Sequence, residues 1–131
     1  MSLAAIDVFA IVLATVVSMI VGTIWYTAFA RSWQRAARTE DHGTAARTGN
    51  IALAALSEFV MAAVFALLLA HFPTVSLPDA VLSALALWLG FVATTVAVSQ
   101  RFLGFGWDLT AIEAGHWLVV LLGQGLVFGS L

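Results

Sequence analysis

The sequence predicts an all-α integral membrane protein, an antiparallel up-and-down four-helix bundle with N and C termini both outside. Three observations carry this expectation. Apolar stretches at about 3–29, 51–71, 80–99 and 111–131 occupy most of the 131 residues, and a helix rising ~1.5 Å per residue needs about 20 apolar residues to cross a ~30 Å hydrocarbon core. Hydrophobic residues make up 63% and charged residues 9%, whereas a soluble domain carries about 25% charge to cover its water-facing surface. Runs such as Phe59–Val60–Met61–Ala62–Ala63–Val64–Phe65 lack the alternation of a barrel strand. One domain of four helical spans follows.

The first stretch ends near Ala28–Phe29–Ala30, which resembles a signal-cleavage site. Secretory signals open on positive charge and carry an apolar region of about 7–15 residues. This stretch opens without a basic side chain, contains Asp7 and is longer, so it is expected to stay as a span. The arginines set the orientation. Arg31, Arg35, Arg38 and Arg47 lie between spans one and two, and Arg101 begins the link between spans three and four. Basic links face the cytoplasm, so both of these are inside and insertion in two orientations is disfavoured. The expected location is the cytoplasmic membrane.

The links are short. Arg31, Arg35 and Arg38 fall on one face of a helical continuation of span one, with Trp33 at headgroup level, as an interfacial anchor or a solvated flank does. Glu40–Asp41–His42–Gly43 reads as a turn. Pro73 is expected to end span two, and Ser76–Leu77–Pro78–Asp79 has the spacing of a capping box for span three. Gly104 and Gly106 break the chain before Trp107, which reads as a second belt residue.

Ionisable groups inside a bilayer are expensive and usually face protein or trapped water. Counted inward from the cytoplasmic ends of their spans, Glu58 lies ~12 Å deep, His116 ~10 Å and Glu113 ~6 Å, with Gly22 and Thr94 at ~10 Å. Four antiparallel helices therefore place polar or small residues in one layer. Glu113 stands three residues after Thr110 and so reads equally as a cap of span four. Glu58 has no such local role and needs protonation, water or a partner, His116 or Arg101.

Small residues let helix backbones approach in lipid. Thr15, Ser18, Gly22 and Trp25 form such a stripe on span one, and Ser83, Ala86, Gly90, Thr94, Ala97 and Arg101 form one on span three. On span four, Gly123 shares a face with His116, and Gly125-x-x-x-Gly129 is expected to pair helices within the bundle or between copies. Trp25, Trp88 and Trp117 lie deeper than interfacial anchoring needs, and a buried indole N–H wants an acceptor.

Several chemistries are excluded. The chain has no cysteine, hence no disulfide, thiolate or cysteine-held metal. His42, His71 and His116 are too far apart to share a metal or haem, so no metal or cofactor is expected. Five arginines in a chain of net charge −2 do not make a nucleic-acid surface. No phosphate loop or nucleophile elbow is present, and no complete catalytic constellation points to an enzyme.

Three motifs carry a resemblance: Gly22-x-x-Trp25–Tyr26 followed by Phe29 and Trp33; Trp88–Leu89–Gly90–Phe91–Val92–Ala93–Thr94–Thr95; and Ala114–Gly115–His116–Trp117–Leu118–Val119. Together they resemble the domain of unknown function 1761 family of small prokaryotic four-span membrane proteins. The resemblance covers nearly the whole chain. It implies the fold, supplies no catalytic assignment, and adds Trp25, Tyr26, Thr94, Thr95 and His116 as positions of the family pattern.

Beside the lipid bilayer, a second copy of the chain is the expected partner. The function expected is a homo-oligomeric transporter or channel subunit for protons, ions or a small solute, with Glu58 and His116 at its centre. The alternative is a structural or accessory membrane protein that binds lipid or a larger complex. A water-filled cavity reaching the Glu58 and His116 layer favours the first, a dry packed layer the second. The arginine distribution makes one direct prediction. Reporters fused to the C-terminus should be active only where the reporter works outside the cytoplasm, and a cytoplasmic C-terminus overturns the orientation.

Overall fold

Helices built from the apolar stretches make up nearly all of the computed structural model, which describes residues 7–39 and 44–131. In order they are α1 (Val8–Ala28), α2 (Ala30–Ala37), α3 (Thr44–Leu69), α4 (Leu77–Leu87), a π-helical segment (Trp88–Ala93), α5 (Thr94–Phe102) and α6 (Trp107–Ser130). Four spans are long and apolar enough to cross a membrane: Val8–Ala28, Gly49–Leu69, Leu77–Phe102 and Trp107–Ser130. The protein is a multi-pass membrane protein.

Helix ends are set by particular side chains. Asp7 caps α1, its Oδ1 accepting from Phe9 N at 2.9 Å and Ala10 N at 3.4 Å. The part of the first apolar stretch before Asp7 lies outside the described residues, as does the turn expected at Glu40–Gly43. Ser76 and Asp79 form a reciprocal capping box, Ser76 Oγ accepting from Asp79 N at 3.2 Å while Asp79 Oδ2 accepts from Ser76 N at 3.3 Å. The second span stops at Leu69, a turn before Pro73, and the third begins at Leu77. Gly106 caps α6, and Gly104 adopts φ +83°, a left-handed turn that suits glycine.

Among the described residues α6 is the central span. It packs against α4 on one side and α1 on the other, and α3 lies against α1. At the end of the bundle away from α2, Phe65 and Leu69 of α3, Ala80 and Ala84 of α4, and Leu121 of α6 form one buried cluster. Ile11 and Ala14 of α1 with Ala62 of α3 form another, capped by Val127 and Phe128. The start of α1 and the end of α6 therefore lie at the same end of the bundle. Leu82, Leu89 and Phe91 point away from the bundle, as lipid-facing residues do.

Glycine decides how closely α6 approaches its neighbours. A Cβ on Gly129 would stand 2.9 Å from Leu77 Cα, and one on Gly125 would stand 3.1 Å from the Ala80 carbonyl oxygen. This pair serves the α4–α6 contact within the bundle. On the other side, a Cβ on Gly123 would stand 3.1 Å from Val17 Cγ1.

Gly90 departs from its expected role. Nothing lies within 4 Å of a Cβ built there, so the small-residue stripe drawn through Gly90 and Thr94 does not pack. The stripe already faces outward at Ala86, ahead of the π segment, and the segment then resets the phase of the residues after it. In an uninterrupted α-helix Gln100 would stand ~160° round from Ala84. The surplus residue of a π turn takes back ~100° of that. Ala84 and Gln100 are both buried against α6, while Gly90, Thr94 and Thr95 turn outward.

Overpacking a tight helix contact is destabilising by about 1–3 kcal/mol. Gly125→Leu and Gly129→Leu should therefore lower the melting temperature of the purified protein in detergent. Gly90→Leu should leave it unchanged. Equal effects at all three positions would show that these contacts do not hold the bundle.

Candidate functional site

The site grows from α6 and the way its neighbours hold it. Trp25 Nε1 donates to the Ile112 carbonyl at 2.9 Å from α1, and Trp88 Nε1 donates to the Ala114 carbonyl at 2.7 Å from the third span. Both deep indoles therefore find acceptors on α6 backbone. Gly115 lies beneath Trp25, where a Cβ would meet the ring at 3.0 Å. The next residue, His116, is turned toward α1, its Nε2 standing 3.2 Å from a Cβ built on Gly22. Tyr26 and Trp117 flank the imidazole at centroid distances of 4.9 and 4.6 Å.

A cavity of about 770 Å³ opens beside His116. Its walls come from α1 (Met19, Gly22, Tyr26), α2 (Trp33, Gln34), α3 (Asn50, Ala54, Glu58) and α6 (Glu113, His116, Trp117). Thr23, Thr27, Asn50 and Ile51 stand exposed at its edge. Beyond Glu58 the interior is closed. Gln124, wholly buried, donates from Nε2 to Ser18 Oγ at 3.0 Å and to the Glu58 carbonyl at 3.4 Å, tying α6 to α1 and α3.

Two polar groups on the cavity wall are satisfied poorly. Glu58 is 2% exposed and His116 4% exposed. Glu58 Oε2 and both ring nitrogens of His116 have no hydrogen-bond partner among the described residues. An unpaired polar atom away from water costs about 1–3 kcal/mol, so a group left this way beside a cavity is a place where a ligand or water would gain most.

Glu113, by contrast, is held on both oxygens. Trp33 Nε1 donates to Oε1 at 3.2 Å and Gln100 Nε2 donates to Oε2 at 2.9 Å. Thr110 Oγ1 donates to Gln100 Oε1 at 2.5 Å, and Arg101 donates to Thr110 Oγ1 and to the Gly106 carbonyl. The Arg101 guanidinium also stacks over Trp107, 4.0 Å from the ring centroid. Glu113 is therefore not a helix cap, because α6 begins a turn earlier at Trp107 with Gly106 as its cap. Arg101 is committed to this network and is not the partner of Glu58.

A protein-family model described as Protein of unknown function (DUF1761) matches residues 9–129. The chain belongs to this family. No curated protein and no solved structure matches it. In this DUF1761 chain the three motifs that carry the sequence resemblance converge in space: Trp25 and Trp88 both reach the backbone just before His116, and Tyr26 touches its ring.

Other singled-out residues fall elsewhere. Thr94 and Thr95 donate their hydroxyls to the Gly90 and Phe91 carbonyls at 3.0 and 2.6 Å, the back-bonding to residue i−4 that Thr15, Ser18 and Thr23 make in α1. Neither reaches the cavity. Trp33 is not a belt residue, because the chain turns at Phe29 (φ −103°, ψ 18°) and α2 brings its indole onto Glu113. Arg38 does not share the exposed face of Arg31 and Arg35. It ends α2 in a left-handed conformation (φ 54°) and donates to the Gly104 carbonyl at 2.6 Å.

Gln100 and Gln124 are the residues that sequence reasoning missed. Both are buried amides in apolar helices; weighing uncharged amides as well as ionisable groups would have found them. Gln100→Leu removes the donor to Glu113 and the acceptor of Thr110, and should destabilise the protein by about 1–3 kcal/mol per orphaned group. Thr95→Val, on the outward face, should change stability by less than about 0.5 kcal/mol. Thermal unfolding in detergent compares the two, and equal losses would show that the network is not structural.

Proposed function

We propose that the protein is a transporter subunit of the cytoplasmic membrane that admits a small solute or ion to the cavity, with Glu58 and His116 as its proton-exchanging centre. One observation supports this reading above the rest: a cavity of about 770 Å³ is lined by two nearly inaccessible, ionisable side chains, of which Glu58 Oε2 and both His116 ring nitrogens have no partner among the described residues. A structural carboxylate in an apolar bundle is expected to be fully hydrogen-bonded, as Glu113 is. Intramembrane ionisable groups beside a cavity are otherwise typical of substrate and proton pathways.

The arginine distribution orients the site. With the links at α2 and at 103–106 in the cytoplasm, the cavity opens inward and the Gln124 layer closes it from the outside. The α4 and α5 part of the third span contributes nothing to the cavity wall. In this reading a second copy covers the flank left open along Thr23 and Thr27, making the working unit a homo-oligomer.

Two other titratable groups, Tyr26 and Glu113, line the same cavity, so a proton-coupled step involves four groups in one space. Glu58→Gln keeps the size and hydrogen-bonding capacity of the side chain and removes its proton exchange. In reconstituted vesicles it should abolish pH-dependent flux while leaving the melting temperature near that of the wild type. His116→Gln should shift the same dependence. A wild-type protein without flux of protons, common ions or dyes, with a Glu58→Gln variant that merely melts earlier, would replace this reading by an accessory membrane protein that binds lipid or a larger complex.

A further inference from the structure

The composition of the cavity wall narrows the solute. Its rings are Tyr26, Trp33, His116 and Trp117, its carboxyl groups are Glu58 and Glu113, and among the described residues no lysine or arginine lines it. The Tyr26 and Trp33 rings meet edge to face at 6.2 Å, forming an aromatic corner next to the imidazole. Its volume falls within the 300–1,000 Å³ range typical of pockets for drug-sized molecules.

We propose that this cavity binds a lipophilic organic cation of the quaternary ammonium or phosphonium class, with the rings of Tyr26, Trp33 and Trp117 around it and Glu58 as its counter-anion. The proposal rests on the transporter reading for its physiological sense and deepens it by naming the substrate class. Aromatic rings attract an organic cation through their quadrupoles, and the attraction grows when water is excluded. A neutral apolar solute would leave Glu58 Oε2 unpaired in an apolar wall. An anion would face two carboxyl groups, with no basic side chain among the described residues of the wall to receive it. A bare metal ion would lack ligands, because no three histidine or acidic side chains among the described residues stand close enough to hold one. Glu113 already accepts two N–H donors and shapes the wall, leaving Glu58 as the unengaged acceptor.

The test uses two ions of nearly the same shape and opposite charge, tetraphenylphosphonium and tetraphenylborate, titrated into the full chain purified in detergent and followed by calorimetry. The phosphonium should bind and the borate should not. Glu58→Gln and Trp117→Leu should each weaken the phosphonium about tenfold, and Trp117→Phe should restore most of the affinity. Equal binding of both ions, or no binding of the phosphonium, overturns the proposal. So does undiminished affinity in a folded Glu58→Gln variant. The wild-type comparison needs no variant, so it decides between the two ions even where a mutant misfolds. Binding in detergent is also independent of flux: a protein that carries protons or another solute but binds no phosphonium refutes only this proposal, whereas phosphonium binding without flux refutes only the transporter reading.

Discussion

Two indole N–H groups, given by Trp25 and Trp88 to successive parts of the α6 backbone, are the interaction on which the rest of the interior depends. Apolar burial does little to hold helices together in lipid, because lipid tails are as apolar as leucine. Close packing and hydrogen bonds take over that task. Here α6 is clasped from both sides at Ile112 and Ala114, and just beyond the clasp it presents His116 and Trp117. Further along it, glycines at 123, 125 and 129 let α1 and α4 come close. A helix fixed in rotation by two hydrogen bonds and in distance by three glycines can hold an imidazole with no hydrogen bond of its own.

The polar groups of the interior fall into two populations. Glu113, Gln100, Thr110, Arg101 and Trp33 are linked by hydrogen bonds, and Ser18 and Gln124 are joined deeper in the bundle, although Arg101 Nε and Nη1 and Gln124 Oε1 find no partner among the described residues. These groups tie spans together. Glu58 and His116 stand between the two networks, on the wall of the cavity, and no hydrogen bond joins Glu58 Oε2 or the imidazole to either among the described residues.

How much of this is legible in the sequence follows from the range of each signal. Span number and helical class rest on composition over 20 or more residues, and small local irregularities do not disturb them. Glu58 and His116 are legible because the cost of an ionisable group in hydrocarbon is local to that group. Orientation around a helix is different, since one surplus residue shifts every position after it. Small-residue spacing puts Ala86, Gly90 and Thr94 on an inner face of the third span, and all three are exposed. Glu113 has the spacing of a cap without the role, because the start of α6 lies a turn earlier than its apolar stretch. Trp33 looks like a headgroup residue because the turn at Phe29 involves no proline or glycine that would mark it.

The π segment, Trp88–Ala93, splits the third span into two halves with independent phase. Residues 77–87 are aligned to the glycines of α6, and residues 94–102 are aligned to Glu113 and Thr110. An unbroken α-helix serves one of these alignments and not both. Removing a single residue from the segment would turn the second half as a rigid unit by ~100°, carrying the Gln100 amide away from Glu113 and its outward threonines toward the bundle. A polar network that joins three helices thus depends on the length of a backbone segment that supplies none of its hydrogen-bonding groups, in the way a key depends on the spacing of its cuts as well as their depth.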